Sequence, residues 1–414
     1  MNKPDVPKDW QSILLGDETH LEIISGGTPP SRKKEYWGGS VLWATPTDIT
    51  SLKGNSIRIT EKTITEEGLR NSSARLLPRG SVLMTTRATI GEVAINEEPM
   101  ATNQGFQNFI CREGIYNHYL LYSLQYHKNS LSRLGGQSTF KEVPRSMLKK
   151  YNIPLPPLSE QKKIAEVLST VDNAIQRADE VINGTERLKQ GLMQKLLTEG
   201  IGHTEFIDSP VGEIPKKWDV VQLKDISLRT HLTDPRKAKD KEFQYVDISS
   251  IDNIAFSIVS WNTITGQNAP SRARKVIQTG DILFATTRPY LKNIAIVPSS
   301  LNGEVCSTGF CVIRANTSET TTEWIYHNVL TPQFLTKIKV KMKGATYPAV
   351  SDKDVMNVTI AKPMLEEQKR ISEILSTVDR KSDLERERKS RLERIKLGLM
   401  NDLLTGRKRV NVGG

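Results

Sequence analysis

The chain has 414 residues, of which 37% are hydrophobic and 25% charged, and its 58 Lys and Arg against 47 Asp and Glu give a net charge of +11. That length is too great for one typical domain, the composition excludes intrinsic disorder, and no apolar run approaches the roughly 18 residues of a membrane helix. The excess of positive charge favours a polyanionic partner.

The start of the chain, through Trp10, lacks the apolar stretch of a signal peptide, so we expect a cytoplasmic protein with no membrane contact. Within residues 1 to 157, short β-branched runs bounded by Gly and Pro (Val82 to Thr86, Glu92 to Ile95) read as strands of a mixed sheet. A helix is predicted from Tyr119 to Leu134, before a return strand. Basic residues are spread through this segment at Arg32, Lys33, Lys34, Arg70, Arg75, Arg79 and Arg87. Cys111, Cys306 and Cys311 form no CxxC pair and have no histidine at ligand spacing, so no disulfide framework or metal site is predicted.

Pro154, Pro156 and Pro157 stop the preceding element, and Ser159 offers an N-cap hydroxyl for a following helix. From Ile164 the apolar residues Leu168, Val171, Ile175, Ala178 and Ile182 alternate spacings of four and three, the seam of a helix packing along another helix. After a slip in phase, Leu188, Leu192 and Leu196 continue it, and Gly200 ends it. Asn183-Gly184 is a turn signal that would fold this segment into a hairpin. Against that, a lone glycine costs a helix only about 1 kcal/mol. Read as continuous, about 40 residues span about 60 Å.

Residues 201 to 364 repeat the pattern of the first segment. Ile282 to Ala285 and Ile294 to Val297 read as strands, and a helix is predicted over Thr322 to Met342. Lys337 to Lys343 alternates like a strand, but Leu330, Phe334, Ile338 and Met342 recur every four residues and favour helix. Basic residues recur at Arg236, Lys237, Lys239, Lys241, Arg272, Arg274 and Lys275, which fits two nucleic-acid surfaces better than one basic tail. Four sets of anchors match between the segments. Pro7 to Trp10 matches Pro215 to Trp218, and Gly80 to Arg87 matches Gly280 to Arg288 with one extra residue, which places Arg87 and Arg288 at a shared position. Gly105-Phe106 matches Gly309-Phe310, while Gly136 and Thr139-Phe140 match Gly344 and Thr346-Tyr347.

The last segment repeats the helix. Glu160 to Thr198 recurs as Glu367 to Thr405 at a constant offset of 207 residues, with 20 identities in 39 positions. Ile175, Ala178 and Ile182 are matched by the polar Ser382, Glu385 and Lys389, so the expected contact in the second copy moves to a shifted face carrying Leu384, Leu392, Ile395 and Leu399. Gly406 ends it as Gly200 ends the first. The predicted fold class is therefore α+β, with two similar mixed α/β domains, two long coiled-coil helices and a pseudo-twofold internal repeat.

Catalytic motifs are missing where they would be needed. Leu155-Pro156-Pro157-Leu158 lacks the polar and aromatic ends of an amino-methyltransferase loop, and no GxxxxGK[ST] phosphate cradle occurs. Asp352-Lys353-Asp354 has no accompanying carboxylate set for a metal nuclease, and no histidine pairs with Ser or Cys for nucleophilic catalysis. The expectation is a binding protein and not an enzyme.

Pro154 to Ile164 (Pro-Leu-Pro-Pro-Leu-Ser-Glu-Gln-Lys-Lys-Ile), its partner Lys362 to Ile371, and the two Gly-Leu-Met-x-x-Leu-Leu-Thr endings resemble the helical repeats of the specificity subunits of type I restriction-modification enzymes. The resemblance implies target-recognition domains at 1 to 157 and 201 to 364, antiparallel spacer helices at 158 to 200 and 365 to 408, and a tail at 409 to 414. It implies that each domain reads one half of an asymmetric, bipartite site in double-stranded DNA. The partners implied are two copies of a methyltransferase (modification) subunit and ATP-dependent restriction subunits. S-adenosylmethionine, ATP and Mg are then expected in those subunits and no cofactor on this chain.

Residues in glycine-bounded or basic loops are candidates for base readout: Gln137, Ser138, Thr139 and Lys141 in the first domain, Thr346 and Tyr347 in the second. The same residues could instead be turn positions anchoring the return strand. Arg87 and Arg288 suit phosphate clamping or bidentate reading of guanine. A position common to both domains favours phosphate or structure, since it cannot distinguish two half-sites. For helix or partner contacts the candidates are Leu168, Val171, Ile175, Leu192, Leu375, Val378 and Leu399.

Overall fold

The computed structural model describes residues 6–136, 142–344, 346 and 348–411. The chain divides into two compact units, one of residues 1–180 with 386–414 and one of residues 181–385.

In the first unit an antiparallel sheet runs in the order Leu21–Ser25, Phe106–Cys111, Val82–Thr85, Val93–Asn96, and Ser56–Ile57 joins its edge in parallel. Val82 to Thr85 are all buried, so the central strand reads as a continuous apolar run with no alternation. Val82 and Met84 face a core shared with Tyr119, Leu120 and Leu124 of the helix Asn117–Tyr126, and Leu83 faces Ala44, Met100 and Phe106. A second sheet orders Lys62–Ile64, Trp37–Ala44, Met100–Thr102. Gln11–Leu14 pairs antiparallel with the return strand Asn152–Leu155 immediately before the first long helix.

The second unit repeats this plan. One sheet orders Ser227–Leu228, Phe310–Ala315, Ile282–Ala285, Ile294–Ile296; the other orders Asn262–Thr265, Glu242–Val246, Val305–Ser307, Ala273–Val276. Asp219–Gln222 pairs with the return strand Thr359–Lys362.

Each helix predicted before the return strand is two helices. The first breaks at His127, between Asn117–Tyr126 and Lys128–Leu134, where the His127 ring bonds the Tyr151 hydroxyl at 3.0 Å. The second breaks before Pro332, between Thr322–Val329 and Pro332–Lys341. Proline cannot continue a helix, but it suits the first turn of a new one, and Thr331 Oγ1 caps that turn by accepting from Phe334 N.

The long helices Leu158–Leu196 and Leu365–Leu403 are each continuous, with Gly184 inside the first. Ser159 is exposed within the first turn, so it is not the cap; Glu160 N and Gln161 N bond back to Pro157 O. Gly200 (φ 67°) and Gly406 (φ 73°) take the left-handed conformation just past the helix ends.

The seam does not slip. Leu188 is 56% exposed; Thr185 and Ile182 are buried, and Lys189 and Leu192 continue the four-three spacing. The second helix also keeps its original face, with Ser382 buried and Glu385 and Lys389 half-buried, while Leu384 (66%) and Ile395 (51%) point to solvent. The polar seam is tolerated because lysine stems lie along the contact and their ammonium groups find carboxylates. In the first unit Lys396 pairs with Asp172 at 2.6 Å and Lys389 with Asp179 at 2.7 Å, so the two helical segments there run antiparallel. In the second unit Lys189 pairs with Asp379, which is the first of those pairs displaced by 207 residues with its members exchanged between helices. Among the described residues no helix is long and apolar enough to cross a membrane.

Candidate nucleic-acid interface

The Glu-Gln pair that opens each long helix is the joint between helix and domain. Gln161 is fully buried: its Oε1 accepts from Tyr116 N at 2.8 Å, and its Nε2 donates to Gly114 O and Pro156 O, both at 2.9 Å. Gln368 repeats this, accepting from Thr320 Oγ1 and Thr321 N and donating to Pro363 O and Glu319 O. Glu160 Oε2 accepts from the Trp10 indole at 3.0 Å, and Glu367 Oε2 accepts from the Trp218 indole at 3.0 Å. The rest of each carboxylate is used differently. Arg409 forks onto Glu160 and Asp9, which holds the Asp9 carboxyl below the usual carboxylate range and raises the guanidinium further. Glu367 instead meets His203 Nε2 at 2.8 Å and Ile201 N at 2.9 Å. These motif residues are structural; the two domains differ in the loops that follow Val82–Thr85 and Ile282–Ala285.

Those loops are set by one repeated crossing. Thr86 N and Oγ1 both donate to Gly105 O, at 2.7 and 3.1 Å, and Thr286 N and Oγ1 both donate to Gly309 O, at 2.8 and 2.9 Å. Val143 N then bonds Thr86 O, and Val350 N bonds Thr286 O, each at 3.0 Å. Thr86 therefore corresponds to Thr286, Arg87 to Thr287, and Ala88 to Arg288. The expected shared position of Arg87 and Arg288 is corrected: strand pairing from Val82/Phe109 and Ile282/Ile313 onward admits no extra residue before the arginines. The extra residue lies beyond them. Thr85 N bonds Glu92 O, whereas Ala285 N bonds Asn293 O, so residues 88–91 in one domain are answered by 288–292 in the other. Arg87 pairs with Glu142 at 2.9 Å and is 44% exposed, and Arg288 has a left-handed backbone (φ 50°, ψ 54°).

Thr346 is exposed; Gln137, Ser138, Thr139, Lys141 and Tyr347 lie outside the described residues. Among the helix candidates, Leu168 and Leu375 are fully buried where each helix joins a domain, Leu192 and Leu399 pack at the edges of those cores, and Val171, Ile175 and Val378 are half-buried.

The basic residues separate into two groups. Arg32, Lys33 and Lys34 are exposed on a loop that leaves Gly26-Gly27, where a Cβ on Gly26 would lie 1.8 Å from Asn103 O and one on Gly27 2.3 Å from Ser73 C. Only glycine permits that approach, which fixes the basic loop beside Asn103 to Gly105. The Ser25-Gly26-Gly27 string was the signal for this loop. Lys237, Lys239, Lys241 and Arg272 are likewise exposed, as is Arg236, which forks onto Asp234 at 3.0 and 3.1 Å. Arg274 and Lys275 are structural: Arg274 pairs with Asp234, and the buried Lys275 donates to Phe310 O at 2.6 Å and pairs with Asp352. The carboxylate of Asp352 thus serves a lysine, and among the described residues no cluster of His, Cys, Asp and Glu could hold a metal ion.

The chain has relatives among known proteins. A family model described as the type I restriction modification DNA specificity domain matches it twice, over residues 7–183 and 215–394. The type I restriction enzyme MjaIX specificity subunit of Methanocaldococcus jannaschii is 38% identical over 53% of this chain and 52% of its own length, so that match spans about half of the relative. The MjaVIII specificity subunit of the same organism is 27% identical over 98% of this chain and 94% of its own. The crystal structure of a type I restriction-modification system S subunit from M. genitalium has the same fold, with a TM-score of 0.58 at 14% identity over 97% of this chain and 99% of that one.

Proposed function

Because the chain belongs to the type I restriction-modification DNA specificity family, we propose that it is the non-catalytic DNA-recognition subunit of such a complex and reads an asymmetric bipartite site, one domain per half-site. The observation that carries this reading is a constant joint beneath variable edges. Trp, Glu and Gln dock both domains onto the long helices in the same way, while the loops beyond Thr86 and Thr286 differ in length and charge. Identical joints suit a fixed frame, and different loops suit two different half-sites; two identical readers would demand a palindrome.

The long helices act as an antiparallel coiled-coil spacer. Thirty-nine residues of helix span about 59 Å, enough to set two readers about one turn of DNA apart, about 34 Å. Repeated helix surfaces suit two copies of a methyltransferase subunit, and the assembly recruits restriction subunits. S-adenosylmethionine, ATP and Mg belong to those partners, and the complex works in the cytoplasm. Exposed loop cations supply non-specific phosphate attraction, and polar loop residues supply the discrimination.

The test is to map methylated adenines in a host carrying this chain with its modification subunit, and in the same host without the chain. Loss of a split, asymmetric motif with the chain supports the reading. An unchanged methylation map, with the modification subunit active, contradicts it.

A further inference from the structure

Four non-glycine residues among those described have a positive φ: Ala88 (56°) and its counterpart Arg288 (50°), where both domains share the turn, and, in the second domain alone, Phe256 (52°) and Lys292 (57°). A left-handed backbone is unfavourable for residues with a Cβ, and such strain persists where surrounding structure and side-chain use require it. In the first domain the position of Lys292 is held by Gly91 (φ 83°), the residue the geometry prefers. The second domain thus places a cation where glycine would be more stable.

The loop is built rather than loose. Arg288 N bonds Pro348 O, Leu291 N bonds Arg288 O, and Lys292 N bonds Pro289 O, at 2.8 to 3.0 Å, and Pro289 is buried. The hairpin of Ile251–Asp252 and Ser257–Ile258 braces it, with Asn253 Nδ2 donating to Leu291 O at 2.9 Å. What this frame presents is apolar and aromatic: Tyr290 is 42% exposed, Leu291 41%, and Ile254 at the hairpin tip 71%. It lies at the Thr286–Gly309 crossing, the same edge that carries the variable loop of the first domain.

Resting on the DNA-recognition reading above, we propose that Arg288 to Lys292 is the DNA-gripping wedge of the second domain, with Arg288 and Lys292 on backbone phosphates and Tyr290 against the bases between them. Cations at both ends of a rigid aromatic tip fit a polyanion with stacked bases, and apolar wedges of this kind enter between base steps. Since Ala88 to Gly91 carry no aromatic and no cation, this contact belongs to one half-site alone.

The test uses the full chain with its modification subunits and a 30-base-pair duplex carrying the methylation motif mapped for the wild type. R288G and K292G together relieve the backbone strain, so the melting temperature is expected to hold or rise while affinity falls at least tenfold. The slope of log affinity against log salt should become shallower by about 2. Y290A should relax the methylation motif in one half only. Unchanged affinity and salt slope in the glycine variant, with the wild type selective for the duplex, overturn the wedge and leave the recognition reading intact. Loss of the modification subunit on purification, with DNA affinity kept, makes the loop a protein-docking surface and also overturns it. A wild-type complex that does not prefer the duplex over random DNA refutes the recognition reading itself.

Discussion

Replacing Glu367 with alanine tests the joint between the second domain and its helices. The carboxylate accepts from Trp218 Nε1 at 3.0 Å, Ile201 N at 2.9 Å and His203 Nε2 at 2.8 Å, and Trp218 is only 4% exposed. Each buried donor left without a partner costs about 1 to 3 kcal/mol. The buried indole and the Ile201 amide dominate, and a loss of about 3 kcal/mol is expected. Loss of a carboxylate from a helix N-terminus adds a further 0.3 to 1 kcal/mol, roughly. For a unit of this size about 2 to 4 °C accompanies each kcal/mol, so scanning calorimetry of the full chain should show a transition lowered by about 7 to 16 °C. Glu367→Gln keeps an acceptor for the indole and should lose less than half as much. A Glu367→Ala transition within 2 °C of wild type would refute the reasoning, because the motif glutamate would then carry no structural weight.

Other expectations follow from the same geometry. Replacing Arg32 and Lys34 with alanine should leave thermal stability unchanged while reducing the salt slope of DNA binding by about 2, read by fluorescence anisotropy at several salt concentrations. Asp281→Asn breaks a buried two-pronged pair with Arg314, 2.7 Å at each prong, and should cost about 3 to 5 kcal/mol in denaturant unfolding. His327 is buried with both ring nitrogens lacking a hydrogen-bond partner, and burial, with a smaller contribution from Lys189, pushes its imidazole down to about 3. Unfolded chains take up this proton first, so stability is complete above about pH 6.5 and falls as pH drops toward 3, by about 3 kcal/mol at pH 4. The His327→Asn variant should lose that part of the slope in a pH series of urea titrations, and an unchanged slope would contradict the assignment.

What the sequence disclosed and what it hid have physical reasons. The long helices were legible because a four-three apolar rhythm and a repeat at constant offset report on a straight element. The strands around Val82 and Ile282 were legible as short β-branched runs. The Thr-Thr-Arg strings were misleading: Thr85-Thr86-Arg87 and Thr286-Thr287-Arg288 look aligned, but Ala285 takes the place of Thr85, and only the partner strand's register reveals it. The polar seam was unreadable from hydropathy, because Lys389 and Lys396 bury their stems and send their charges to Asp179 and Asp172 on the other helix. His127 gave no warning of a helix break, since Tyr151 sits 24 residues away; Thr331-Pro332 did give one. Counting cations could not separate Lys275, enclosed with Asp352, from Arg272, which faces solvent.

The most direct measurement exchanges residues 204 to 361, the second domain with its Trp218 side of the joint, for the equivalent segment of another family member of known methylation motif, and maps methylated adenines with the modification subunit held constant. The expected result is a hybrid motif: one half as in the parent, the other taken from the donor, with the spacing between them unchanged. A motif altered in both halves, or unaltered in both while the exchanged protein folds and assembles, would contradict the assignment of one domain to each half-site.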